Sequence, residues 1–523
     1  MELPVLDLTV IIVYLLGIVI FGSWFIRVNK TGNDFMIAGG AIPGWAVGLS
    51  FFGTYLSSNT FIGVVGRAFG TDWNFFVFSL AIPFAVIIGV RYFIPFYRHK
   101  GEISAYHHME RRFGPWARTY SVCAYLLSQL ARIATISFGM ALALHGLTGW
   151  SMSSIIIISG TLITVYTMLG GMKAVIWTDV IQSIILISGS IVLLLVIFLD
   201  SPVGPIETIS IAREYDKFSL GSFKLSLSES TFWVIFLYGL FMNIKAFGFD
   251  QNNVQRYHAS KSDKEARKSL YFGGLLYVPV SMLFFFIGSV LFSYYQTQPE
   301  LLDDLMHSSS VTIVNREGAT SLDIENYRLR IEETKKSLSI SEIADHALPH
   351  FMANRLPVGV AGLIIAAIMA AGMSTISTCL NSSATIILGD IYKKIRPEPG
   401  EREIIYFLRG TTLIWGILGT FLALLMIGVE SILAVWWQLT GIVAGGMLGL
   451  FLLGFLSRKA NNMAAIISVI IGILVILWIT FSSEISFLPD FLHSPFHTYM
   501  SVVVATLSMF LVGIIISKFK KAE

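Results

Sequence analysis

Charge is what this sequence has least of. Only 13% of its 523 residues are Asp, Glu, Lys or Arg, against about a quarter in an ordinary soluble domain, too few to clothe a water-facing surface. Cysteine is scarcer still. Cys123 and Cys379 both lie in apolar stretches, which excludes a disulfide framework and a zinc site. No metal-ligand motif and no nucleophile–base pairing stands out, so an enzyme is not expected. No basic run interleaved with aromatics points to nucleic acid, and nothing calls for an obligate protein partner. A basic leader is missing too: Glu2 and Asp7 open the chain. The apolar run from Leu8 to Ile26 is longer than a signal core and lacks a small-residue cleavage site, so it is expected to be retained as a span.

What the chain has in quantity is long apolar runs. Hydrophobic residues make up 55% of it, and the mean hydropathy is +0.72. A helix needs about 20 apolar residues to cross the hydrocarbon of a bilayer. On that rule thirteen spans are expected, at 6–26, 42–66, 73–97, 115–147, 151–170, 174–199, 229–251, 269–295, 356–389, 404–428, 431–457, 461–482 and 497–517. Alternate loops carry the Lys and Arg. Arg98, Lys100, Arg111 and Arg112 stand in one, Lys261, Lys264, Arg267 and Lys268 in another, and Lys518, Lys520 and Lys521 follow the last span. The intervening short loops are nearly bare, with Arg67 the exception. The positive-inside rule then predicts a multi-pass protein of the plasma membrane, with its N-terminus outside and its C-terminus in the cytoplasm. The segment 296–355 reads as an extracytoplasmic insert carrying a solvated helix over Asn326–Ser337.

Two spans are interrupted. The first is polar in mid-membrane over Gly53-Thr54-Tyr55-Leu56-Ser57-Ser58-Asn59-Thr60, and the second over Asn243-Ile244-Lys245 through Asp250-Gln251-Asn252-Asn253. Unwound backbone survives in lipid only where it lines a cavity or binds something, so each break is a candidate site. The breaks lie five spans apart. Two successive five-helix units would therefore enter the bilayer from opposite sides, a five-plus-five inverted-repeat (LeuT-like) core with a broken first helix in each repeat. The expected division is an additional N-terminal helix in 1–30, a first repeat over 40–200, a second over 225–457 including the insert, and two further helices with a short cytoplasmic tail over 458–523. A third polar cluster, Ser374-Thr375-Ile376-Ser377-Thr378, sets Ser374, Ser377 and Thr378 on one helical face. Hydroxyls and carbonyls with at most one carboxylate suit Na⁺ better than Ca²⁺ or Mg²⁺, although the same residues also serve as packing glue between helices.

Ionisable groups inside spans are costly and point to function. Asp179 suits an ion site or a structural salt bridge. Arg132, deep in 115–147, offers a planar fork that suits a substrate carboxylate or an internal ion pair. Lys245 and Asp250, at the second break, are expected to neutralise each other, with Lys245 as a second anion handle the alternative.

The run Gly-Gly-Met-Lys-Ala-Val-Ile-Trp-Thr-Asp-Val-Ile-Gln at 170–182 resembles the signature of the solute:sodium symporter family. So do Gly44-Trp45-Ala46-Val47-Gly48, Gln255-Arg256, and Asn381-Ser382-Ser383 with Asp390-Ile391-Tyr392. Leu56 to Phe61, Thr71-Asp72-Trp73 and Arg132-Ile133-Ala134 are similar to its bacterial sodium–sialic acid branch. The resemblance implies Na⁺-driven uptake of a small solute, with a carboxylated sugar such as sialic acid as the first reading. A neutral sugar or polyol is the second, and a channel is less favoured. It also implies one Na⁺ site from the carbonyls of Gly53, Leu56 and Ala371 with the hydroxyls of Ser374 and Thr375, and a second from Asp179, Ser374, Ser377 and Thr378. Arg132 would hold the carboxylate, while Ser57, Thr60 and Asn243 would contact the rest of the solute. The chain departs from that branch at Ser79, Tyr55 and Lys245, where glutamine, threonine and glutamine are usual. Ser79 and Tyr277 stand where glucose-type members carry glutamate and lysine, so a plain hexose is disfavoured.

Overall fold

A backbone that cannot hydrogen-bond to its surroundings must satisfy itself, and long apolar runs do so as helices. The computed structural model describes residues 3–316, 324–427, 446–482 and 489–519. Apart from a short helix over His107–Phe113, its α-helices are, in chain order, α1 (Val5–Trp24), α2 (Gly32–Ile37), α3 (Gly44–Tyr55), α4 (Ser58–Gly70), α5 (Asn74–Lys100), α6 (Pro115–Thr148), α7 (Met152–Asp200) and α8 (Gly204–Glu214). They continue as α9 (Phe232–Phe249), α10 (Gln251–Ala259), α11 (Asp263–Gln296), α12 (Pro299–Arg316), α13 (Ile324–Ser337), α14 (Ala344–Arg355), α15 (Val360–Ile395) and α16 (Glu401–Leu425). The last three are α17 (Gly446–Leu456), α18 (Asn462–Phe481) and α19 (Met500–Phe519). Among the described residues there is no strand, and ten helices are long and apolar enough to cross a membrane. Part of the expected span 431–457 lies outside the described residues, as do 428–430 and 483–488 of the bare loops and the basic Lys520 and Lys521.

Two expected spans are joined into one element, and the two expected interruptions are present. The runs 151–170 and 174–199 form the single element α7, divided at Gly171, where φ is +52° and ψ is −153°. Only glycine takes that backbone readily, and a Cβ there would lie 2.9 Å from Phe35. The span 42–66 divides into α3 and α4, and 229–251 ends at Phe249 before the chain resumes as α10. The predicted surface helix appears as α13, between α12 and α14.

Burial identifies the centre. The most apolar window of α15 is 83% buried, against 33% for α1 and for α16, so α15 is the axial helix and those two face outward. Beside it α11 runs unbroken along both α3 and α4. Glycine makes that approach possible: a Cβ on Gly273 would sit 2.3 Å from the Gly48 carbonyl oxygen, and one on Gly288 2.3 Å from that of Val65. Glu265 at the start of α11 accepts from the Gly44 amide at 2.6 Å, capping α3. The far end of α4 is closed by Lys217, whose ammonium donates to the Phe69 and Thr71 carbonyls at 2.7 and 3.0 Å. Burial brings that lysine down to about 8. The chain entering α3 and the chain leaving α10 clasp each other, Ile42 donating to Ala259 at 3.0 Å and Lys261 to Ile42 at 3.1 Å.

Replacing Gly273 by Ala therefore forces two backbones apart, at a cost of about 1–3 kcal/mol, seen as a lower melting temperature in detergent. Gly17→Ala, where nothing lies within 4 Å of the added carbon, is the matched control and leaves the melting temperature unchanged or raised.

Candidate functional site

Both breaks open onto one space. At the first, α3 stops at Tyr55, and Leu56 (ψ 107°) and Ser57 (ψ 169°) are extended before α4 begins. Ser57 and Thr60 form a capping box: the Ser57 hydroxyl accepts from the Thr60 amide at 3.3 Å, and the Thr60 hydroxyl accepts from the Ser57 amide at 3.4 Å. At the second, Asp250 alone separates α9 from α10, and its carboxylate caps α10 by accepting from the Asn252 amide at 2.9 Å. Between them lies a cavity of about 330 Å³, lined by Thr54, Tyr55, Arg132, Asn243, Lys245, Asp250 and Asn253 among others. Of the expected solute contacts, Arg132, Asn243 and Tyr55 reach this lining. Ser57 and Thr60 do not, being turned to each other, and Ser79 is buried against the Ser281 hydroxyl at 2.8 Å.

The cavity's polar groups are unevenly satisfied. Arg132 donates through Nη2 to the freed Thr54 carbonyl at 3.1 Å. Asn243 donates its amide to the Gly239 carbonyl at 2.7 Å, and Asn253 donates to that of Ala246 at 2.8 Å. Both leave their Oδ1 atoms buried without a partner, and so does the Tyr55 hydroxyl. A buried polar atom without a partner is costly, so these three await a donor or acceptor from a guest. Lys245 and Asp250 share the cavity without a direct ion pair, since the carboxylate is turned to α10; the expected mutual neutralisation is replaced by a helix cap.

Alongside the cavity, α15 presents its hydroxyl face to the first break. Ser374 Oγ donates to the Gly53 carbonyl at 2.8 Å and lies 3.2 Å from that of Ala371. Thr375 Oγ1 lies 3.2 Å from the Ala371 carbonyl and 3.4 Å from that of Thr54. The structure thus gathers Gly53, Ala371, Ser374 and Thr375, with the Thr54 carbonyl facing the same group. The Leu56 amide donates to the Phe52 carbonyl at 3.3 Å.

The second expected set meets an unforeseen side chain. Asp179 and Arg256 are both fully buried, with Oδ2 accepting from Arg256 Nη2 at 3.0 Å and from the Ser50 hydroxyl at 2.5 Å. Nη2 of the same guanidinium donates to Thr378 Oγ1 at 2.8 Å and to Thr54 Oγ1 at 2.5 Å. Ser377 donates to the Ser374 carbonyl at 3.1 Å. Asp179 Oδ1 remains buried and unpartnered. An open carboxylate oxygen beside hydroxyls and carbonyls fits a hard monovalent cation. No group of three or more His, Cys, Asp or Glu capable of holding a metal occurs among the described residues.

Sequence reasoning did not find Arg256 as the partner of Asp179. Its only signal was the Gln255-Arg256 pair quoted for resemblance. Gln255 explains the other half: its amide donates to Met36 O (2.6 Å), Thr385 Oγ1 (2.7 Å) and Asn381 Oδ1 (3.1 Å). Asn252 accepts from Ser382 at 2.5 Å and Tyr125 at 3.0 Å. Gln255, Asn381 and Ser382, distant in sequence, thus meet at the α10–α15 contact.

Known proteins resemble this chain over most of its length. Residues 35–315 and 333–472 match the sodium:solute symporter family. The sodium/sialic acid symporter NanT of Aliivibrio fischeri is 33% identical over 95% of this chain and 91% of its own length. The sodium/sialic acid symporter SiaT of Proteus mirabilis is 31% identical over 91% and 89%. A solved Na⁺-coupled sialic acid symporter, substrate-bound and outward-open, superposes with a TM-score of 0.84 at 29% identity, covering 99% of this chain and 98% of that one. The nucleobase-cation symporter Mhp1 shares the fold at a TM-score of 0.52 and 14% identity.

Ser374 touches both oxygen clusters. Ser374→Ala should therefore weaken sodium binding by about tenfold or more, read as the Na⁺ concentration that half-stabilises the purified protein against heat, with K⁺ as the reference.

Proposed function

Because the chain belongs to the sodium:solute symporter family, a family of multi-pass membrane transporters coupled to Na⁺, we propose that its solute is a carboxylated sugar of the sialic acid kind. The observation that carries this reading is Arg132, a guanidinium facing the cavity with the freed Thr54 carbonyl as its one hydrogen-bond partner among the described residues. Arg132 and Lys245 are cationic and Asp250 anionic, which leaves one positive charge over, the complement of a single carboxylate. The open Oδ1 atoms of Asn243 and Asn253 accept from sugar hydroxyls, and the Tyr55 hydroxyl serves as donor or acceptor. The two relatives transport sialic acid by name, which supports the same class. Ser57, Thr60 and Ser79 belong to this site as contacts made in a different arrangement of the breaks.

Two Na⁺ ions accompany the solute in this reading. One binds at Gly53, Leu56, Ala371, Ser374 and Thr375, and the other at Asp179, Ser374, Ser377 and Thr378. Two cations with one anion carry one net charge inward, a gain of roughly 2.3 kcal/mol per 100 mV of membrane potential. Na⁺ fixes the freed carbonyls of the first break, the solute then binds across both breaks, and rocking of the core releases them into the cytoplasm. Thirteen spans, ten of them in two five-helix inverted repeats, suit the helices: α7 divides at Gly171, α3 and α4 together make one span, and α17 adds another. The basic loops favour an outer N-terminus and a cytoplasmic C-terminus in the plasma membrane.

Sugar acids should raise the melting temperature in Na⁺ and not in K⁺, while neutral sugars and polyols leave it unchanged. Arg132→Ala should lose uptake of the anionic substrate on the order of 100-fold, the equivalent of a charged hydrogen bond of about 2–3 kcal/mol. Saturable uptake at the original level by that variant would remove the carboxylate role.

A further inference from the structure

Asp179 is a single buried carboxylate with two claimants. Its Oδ2 is held by Arg256, which reaches out of α10, while Oδ1 is buried without a partner. Arg256 is itself wholly buried and ties α10 to three other helices at once, through Ser50 (2.9 Å) and Thr54 on α3, Asp179 on α7 and Thr378 on α15. One of the hydroxyls it occupies, Thr378, belongs to the expected second sodium set. A lone buried carboxylate neutralises one cation; a second cation a few ångströms from the first meets uncompensated repulsion in a medium that screens poorly.

We propose that Arg256 is a tethered counter-cation that replaces Na⁺ at Asp179 in the sodium-free carrier, and so permits the empty protein to return for another cycle. With Na⁺ bound at Asp179, the guanidinium gives up Asp179 and Thr378, and α10 loses its tie to α7 while Gln255 and Asn252 keep it on α15. With Na⁺ released, Arg256 re-engages, and the core crosses the membrane without a naked buried charge. Na⁺ and the arginine thus occupy Asp179 alternately, which makes the freedom of α10 report the occupancy of the second site.

The inference rests on Asp179 as a sodium ligand, and the two are separable. If Asp179→Asn leaves the cooperativity and half-saturation of Na⁺ unchanged, the ligand assignment fails. The inference itself is read from the ratio of net uptake to counterflow in proteoliposomes, because counterflow exchanges loaded carriers and needs no empty return. Arg256→Gln should lower net uptake at least tenfold more than counterflow, with a lower half-saturating Na⁺ concentration. The double variant Asp179→Asn/Arg256→Gln should recover the wild-type ratio. Equal loss of both activities in Arg256→Gln, or no recovery in the double variant, overturns the proposal. Should Arg256→Gln not fold, hydrogen exchange of the native protein decides: Na⁺ in place of K⁺ should quicken exchange over 251–259 while slowing it over 53–57. Slower exchange in both segments overturns it.

Discussion

In hydrocarbon a peptide carbonyl released from a helix has no solvent to turn to, and this structure is organised around two places where the chain releases some. At the first break the Thr54 carbonyl is taken up by Arg132 and approached by Thr375, and the Gly53 carbonyl by Ser374. These satisfiers come from α6 and α15, so interrupting one helix requires two others to bring polar side chains to the same depth. The cavity, the oxygen clusters and the burial of α15 follow from that requirement. A continuous α3–α4 would need none of them.

The same economy governs charge. Buried ion pairs add little net stability, because desolvation consumes most of the attraction, yet losing one partner is severe. The Asp179–Arg256 pair is therefore better read as specifying an arrangement of helices than as strengthening it. It joins α7 to α10, and through Ser50, Thr54 and Thr378 it fixes both relative to α3 and α15. Lys245 and Asp250, in contrast, sit close along the chain without pairing, because a helix start with free amides competes for the carboxylate.

Local features were legible in the sequence. Spans announced themselves by length and apolarity, both breaks by polar residues in mid-span, and the hydroxyl face of α15 by its three- and four-residue spacing. Features that depend on meeting a distant residue were not. Nothing near Arg256 says that it reaches Asp179, and nothing near Ser57 says whether its hydroxyl faces a solute or its own helix start. The Gly170–Gly171 pair could be seen, but that the helix continues through it depends on Phe35 and Gly22 packing there. Lys245 and Asp250 misled for the opposite reason: proximity in sequence suggested a pair, while the cap that outcompetes it forms only once α10 exists.

The two breaks are mechanically unlike. Both halves of the first are held against α11, with Gly273 seated on Gly48 and Gly288 on Val65. Bending there would have to lift one half off a contact with no slack, so α3, α4 and α11 travel as one rigid slab. The second break has no such rail: Asp250 alone joins α9 to α10, and α10 is held mainly by polar side-chain contacts that can be exchanged one at a time. Articulation is therefore one-sided, with a stiff strut facing a jointed one across the same cavity.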